Sequence, residues 1–220
     1  VYRSGSSGAA LAQGFRDTLG EAGADTTTEN ILPADKPITD KLLHGLFERQ
    51  QPATFLLWLN SKDMKTTTDW LAKQSHQPDM IFASWQLLEG NTSTIPDQLR
   101  DNVYLTYPRD LPEINSRNIN VLKRWLNIRK IPITNLDIQS QMYFLGWMLP
   151  GTISHMRSEF FRDYFIESFD MMPDQDYAIA VFPRLTFGPG QRYASKGCYI
   201  VQLGKGEQPE LIRKSEWIIH

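Results

Sequence analysis
The chain has 220 residues, of which 41% are hydrophobic and 22% charged, with a net charge of −2. That size buries a substantial core and permits one or two domains, while the balanced charge leaves no electrostatic footprint for a nucleic-acid partner. The lone cysteine, Cys198, excludes an internal disulfide and a cysteine-built zinc cluster.

Val1 and Tyr2 read as the end of a strand already under way, since the chain passes straight from them into "RSGSSG". The expectation is that the mature protein carries more sequence upstream, any export signal included. A helix follows over 10–19, with Leu11, Phe15 and Leu19 on one face, closed by Gly20 and Gly23. Thr39 is placed to cap a second helix carrying Leu42, Leu43, Leu46 and Phe47. "ATFLLWLN" at 53–60 and "MIFASW" at 80–85 are apolar without alternation, the pattern of a strand covered on both faces. Between them Asp63 is placed to cap a third helix, with Trp70 and Leu71 on it. Thr94 and Pro96 mark a short helix start, and "NVYLTYP" at 102–108 is the fourth strand. This alternation predicts an α/β fold, a doubly wound, mostly parallel sheet with helices on both faces.

The pattern then changes. Residues 111–115 read as a linker and 116–172 as helical, with Ile119, Leu122, Trp125 and Leu126 on one stripe; the longer stretch 135–172 is interrupted at Pro150-Gly151, which predicts two helices or one sharply kinked one there. The last part is strand-like: "AIAVF", "CYIVQL" and "ELIRKSEWII", with turns at 188–190 and 204–206. The expected domains are an α/β ligand-binding lobe over 1–112, a helical segment of another lobe over 113–182, and a hinge recrossing with terminal strands over 183–220.

Open α/β sheets bind ligands at the carboxyl ends of their strands. There the sequence offers Ser4 and Ser6, then Asn60 and Ser61, then Ser84 and Trp85, then Tyr107. Hydroxyls, amides and aromatic rings hold a small polar ligand by hydrogen bonds and stacking. The first loop is neither a phosphate-binding glycine loop nor a nucleophile elbow. His44, His76, His155 and His220 are scattered, so no metal is expected, and no cofactor or catalytic residue is assigned. Cys198, in an apolar strand, reads as a buried inert thiol. Asn91-Thr92-Ser93 matches a short glycosylation pattern of little weight. No apolar stretch is long enough to span a bilayer.

In its order of segments the chain resembles the type I periplasmic ligand-binding proteins, the branched-chain amino-acid receptor-like group that feeds ABC transporters. "VYRSGSSGAALAQGFRDTLGEAG" is similar to the first strand, loop and helix of that group's second lobe. "QMYFLGWMLPGTISHM" stands at its interlobe helix, and "FPRLTFGPGQRYASKGCYIVQLGKG" at its closing segment. The resemblance implies export to the periplasm, two lobes, a hinge near 109–115 and 182–190, and a ligand in the cleft between the lobes. It adds Tyr143 to the ligand-binding residues. The aspartate that follows that tyrosine in the family is here Phe144, so an amino-group ligand is not implied. It also implies that 116–172 shows an uncovered apolar face. The expected function is capture of a small polar ligand for an ABC permease. The alternative is a degenerate binding fold that docks a periplasmic cytochrome or dehydrogenase. An enzyme of the doubly wound class lacks its motif here.

Overall fold
The computed structural model describes residues 1–23, 27–47, 53–158, 160–171, 182–185 and 193–219. Two compact units divide the chain: Val1–Tyr107 with Tyr199–Glu216, and Pro108–Cys198 with Trp217–His220.

The first unit is built around a sheet. Its elements are β1 (Tyr2–Arg3), α1 (Ser7–Glu21), β2 (Ile31–Leu32), α2 (Asp40–Phe47), β3 (Thr54–Leu57), α3 (Ser61–Leu71), β4 (Met80–Ser84) and β5 (Val103–Tyr107). Two 3-10 turns, Thr92–Thr94 and Asp97–Leu99, join β4 to β5. β1 pairs parallel with β2, and β3, β4 and β5 pair parallel in turn. The Tyr2–Trp58 bridge and the bond from Trp58 N to Val1 O at 3.0 Å join the two sets. The order is therefore β2-β1-β3-β4-β5. It continues antiparallel into β6 (Gly197–Leu203) and β7 (Leu211–Arg213). This is the mostly parallel α/β sheet that the alternation predicts.

Register fixes what each face carries. Phe55, Leu57, Ile81, Ala83, Val103 and Leu105 point to one side and are all buried. There α2 and α3 close over them, with Phe47 4.1 Å from Phe55 and 5.5 Å from Trp70 between ring centroids. Each aliphatic side chain buried this way stabilises the fold by roughly 1.5–3 kcal/mol. α1 lies on the other side, where Phe15 meets Trp58 edge-on at 5.4 Å. On that side Leu56, Phe82, Tyr104 and Thr106 stay half-exposed. The expectation of strands covered on both faces is thus corrected: among the described residues of this unit, α1 covers its side of the sheet alone, and β3–β5 extend past it.

Other expectations also change locally. Asn60, not Asp63, caps α3, its Oδ1 accepting from Asp63 N at 2.9 Å. β2 has no counterpart in the expected elements; two residues between polar stretches give no periodic signal. At the far edge, Arg100 is buried and donates to the carbonyls of Gly204 and Gly206 at 2.8 Å each, fastening the β6–β7 turn.

The second unit is mainly helical: α4 (Pro112–Ile128), α5 (Leu136–His155) and α6 (Arg162–Asp170). Residues 111–115 are not a linker, because Pro112 sits in the first turn of α4, where its missing N–H costs nothing. α5 runs through Pro150 as one helix. The helical stretch breaks instead at Lys130 and Arg157, both in the left-handed conformation (φ 56° each). "ELIRKSEWII" is not one strand: β7 ends at Arg213, and β8 (Ile218–Ile219) pairs separately with Gly197 and Cys198. Gly197 permits that contact, since a Cβ there would lie 2.3 Å from Ile218 O. The expected strand "AIAVF" lies outside the described residues except for Phe182, and the turn at 188–190 lies wholly outside them. Apolar side chains are widely exposed in this unit, including Ile128 at 73%, Met142 at 60% and Phe161 at 67%.

Candidate functional site
In the strand order β2-β1-β3, the chain leaves β1 in one direction and β3 in the other. The carboxyl ends of β1 and β3 therefore flank a topological switch point, the crevice where open α/β sheets hold ligands. Four expected positions lie in these two loops. Ser4 is exposed and Ser6 half-buried after β1; Asn60 is exposed and Ser61 half-buried after β3. Ser84 ends β4, Trp85 follows it, and Tyr107 ends β5. The parallel pairing of β3, β4 and β5 brings these carboxyl ends to one edge of the sheet. Tyr143 is apart from them in sequence and fold: it lies on α5 of the second unit, its ring 5.1 Å from that of Trp125.

The first loop is held close to the switch. Its N–H at Ser4 donates to Leu32 O at 2.9 Å, and Gly5 adopts φ 70° to turn the chain. Gly8 in the first turn of α1 touches β3's extension so tightly that a Cβ would lie 2.2 Å from Trp58 O. Ser6 is the N-cap of α1, yet its hydroxyl donates backward to Arg3 O at 2.8 Å and makes no cap bond. The first-turn amides of α1 thus receive no side-chain cap, and they face the switch with the positive end of a 15-residue helix. α3 differs, since Asn60 caps it.

Other groups at the rim are committed to structure. Ser61 Oγ accepts from Asn91 Nδ2 at 3.1 Å, while Asn91 Oδ1 accepts from Ser93 N and Ser93 Oγ at 3.1 and 2.7 Å. Ser84 is 7% exposed. Trp85 packs edge-on against Tyr107 at 5.2 Å, and its other side is set by Gly90 (φ 71°), where a Cβ would lie 3.3 Å from the ring. These rings form a wall more than a free stacking surface.

The residues that tie the rim together were not among those expected. Arg3 pairs with Asp63 through Nε and Nη2, the latter at 2.8 Å, and its Nη1 donates to Pro33 O and Lys36 O at 2.7 Å each. Both side chains are largely buried, at 13% and 10% exposure, where a two-pronged guanidinium–carboxylate pair gains geometry as well as energy. It binds the end of β1 to the start of α3 and to the loop after β2. The signal in the sequence was weak: an arginine before a serine loop and a carboxylate sixty residues on.

Among the described residues no group of histidine, cysteine and carboxylate side chains is placed to hold a metal, and no helix is long and apolar enough to cross a membrane. Burial raises the pKa of the half-buried Cys198 thiol, which keeps it protonated and unreactive.

No protein-family model and no curated protein matches the chain. Solved structures do match in fold. One, from Rhodospirillum rubrum and described as a branched-chain amino acid ABC transporter, superposes with a TM-score of 0.64 at 14% identity, over 91% of this chain and 56% of its own. A fatty acid ABC transporter substrate-binding protein from Thermomonospora curvata gives 0.60 at 15%, over 100% and 56%. An ABC transporter substrate-binding protein from Aeropyrum pernix gives 0.59 at 14%, over 90% and 53%. The chain therefore has a divergent type I periplasmic-binding-protein fold and spans a little over half the length of the structures it matches.

Proposed function
We propose that residues 1–220 form part of a periplasmic solute-binding protein, which holds a small polar ligand in a cleft between two lobes and presents it to an ABC-type permease. The observation that carries this reading is the switch-point crevice. There the first turn of α1, without a side-chain cap, and the exposed Ser4 stand at the carboxyl end of β1, beside that of β3. Amide donors at a positive helix end suit a carboxylate or another anionic or hydrogen-bonding group. Trp85 and Tyr107 wall the adjoining edge. Such a site holds and releases; it carries no nucleophile, base or metal set for making or breaking bonds.

The test is a thermal-shift screen of the full gene product against amino acids, amides, small carboxylates, alcohols and aromatic acids. One class should raise the melting temperature with concentration, by about 2.7 kcal/mol of stabilisation at a hundredfold excess over Kd. The Ser4→Ala variant, at an exposed position, should weaken that response while melting normally without ligand. A screen silent across all classes overturns the reading.

One observation favours a second reading, a binding fold that has become a docking partner for a periplasmic cytochrome or dehydrogenase. The position after Tyr143, acidic in the family it resembles, is filled by Phe144, 8% exposed and clustered with Leu185, Met148 and Phe182. Phe144 is thus committed to packing in that cluster. Recovery of a redox protein on the immobilised full gene product, together with a silent ligand screen, supports this second reading.

A further inference from the structure
α4 buries one stripe, formed by Asn115, Leu122 and Leu126. It carries a second apolar stripe that is open to solvent. At 3.6 residues per turn, Ile114, Val121, Trp125 and Ile128 fall within about 60° of one another around the helix, and all four are exposed. Ile131 and Ile133, in the segment that follows, are exposed too. The charge around this stripe has one sign. Residues 114–136 include no acid, whereas Arg117, Lys123, Arg124, Arg129 and Lys130 bring five positive charges to a chain of net charge −2. All five are exposed, and none forms an ion pair among the described residues. The carbonyl end of α4 favours the cations close to it, but that effect fades within the last turn and does not reach Arg117. Trp125 is braced at the centre of the patch: the Arg129 guanidinium lies 6.0 Å from its ring centroid, and the Tyr143 ring 5.1 Å.

We propose that α4 and the segment after it, as far as Ile133, rest on the surface of an anionic phospholipid bilayer, with the exposed stripe in the headgroup region and the cations against lipid phosphates. Basic side chains around an open aliphatic and aromatic stripe are the make-up of a helix that lies in a membrane interface. Tryptophan suits that depth, since its ring is apolar and its N–H is polar. The helix lies on the bilayer and does not cross it, because no described helix is long and apolar enough to span. An acidic protein would also attract the cations, but a bilayer offers an apolar layer beneath its charge along the whole length of the stripe. α4 belongs to the second unit, so the proposal is independent of what the crevice in the first unit holds.

The test is co-sedimentation of the full gene product with vesicles of phosphatidylcholine alone or of phosphatidylcholine mixed with phosphatidylglycerol. Binding to the anionic vesicles alone is expected, and it should fall steeply as salt shortens the screening length from about 30 Å at 0.01 M to about 8 Å at 0.15 M. Arg124→Gln/Lys130→Gln should lower the partition coefficient by about 25-fold, or about fivefold per cation, with an unchanged melting temperature because both side chains are exposed. Lys41→Gln/Lys73→Gln, which makes the same change in net charge at exposed positions of the first unit, should leave most of the binding in place. Equal sedimentation with both kinds of vesicle, or an equal loss in the two double variants, would overturn the proposal. So would the absence of sedimentation with either vesicle, whether or not an acidic protein is captured instead.

Discussion
Two single residues carry consequences out of proportion to their size. Gly8 is required by space, not by backbone freedom: a methyl group there would collide with a carbonyl of the neighbouring strand's extension. Gly8→Ala is expected to lower stability by about 1–3 kcal/mol, measured by urea unfolding, and to push the first turn of α1 away from the switch point. Cys198 is the second. Its thiol pKa is raised by burial, so between the unfolded value near 8.5 and the folded one, the unfolded chain binds fewer protons than the folded chain. Stability attributable to this thiol is then lost as pH rises above that unfolded value. Cys198→Ser should flatten the alkaline end of the stability profile, and labelling of the native thiol by a maleimide should accelerate at higher pH than that of a free thiol. Site legibility also belongs at this scale. Serines after β1 stand out because a short polar run between strand and helix has a definite place in this fold class. The Arg3–Asp63 pair does not stand out, because its meaning lies in a contact between residues sixty positions apart, and no local pattern encodes that.

At the scale of elements, apolar runs announced β3, β4 and β5, and periodic stripes announced α1 and α2. What was hidden had no periodicity or was governed by tertiary context. β2 is two residues long, and the split of the last segment into β7 and β8 follows from separate pairings along β6. Pro150 is instructive, because of the two alternatives the sequence left open the chain takes the single helix. Proline in a helix interior removes one hydrogen bond and crowds the carbonyl four residues back, here that of Gly146, yet α5 continues five residues past it. Pro150→Ala should restore that bond and stabilise the helix by up to about 3 kcal/mol, seen as a higher unfolding midpoint with unchanged helical content by circular dichroism.

On the scale of the whole molecule, exposed apolar surface is the governing fact. Among the described residues of the second unit, Trp147 is 55% exposed, Phe160 66% and Ile133 53%, and large apolar side chains open to water favour association. Residues 1–220 expressed alone are therefore expected to bind a hydrophobic dye strongly and to self-associate as concentration rises, by fluorescence titration and light scattering. The sheet's strand order has one more effect, on timing. β1 lies between β2 and β3, so this strand is flanked by two made after it, and Val1 N reaches Leu56 O across 55 residues. At a ribosomal pace of about 5–20 residues per second, the nascent strand waits several seconds for its second neighbour. During that interval an unpaired edge is open to wrong partners, which makes chaperone protection during synthesis a matter of order, not of final stability.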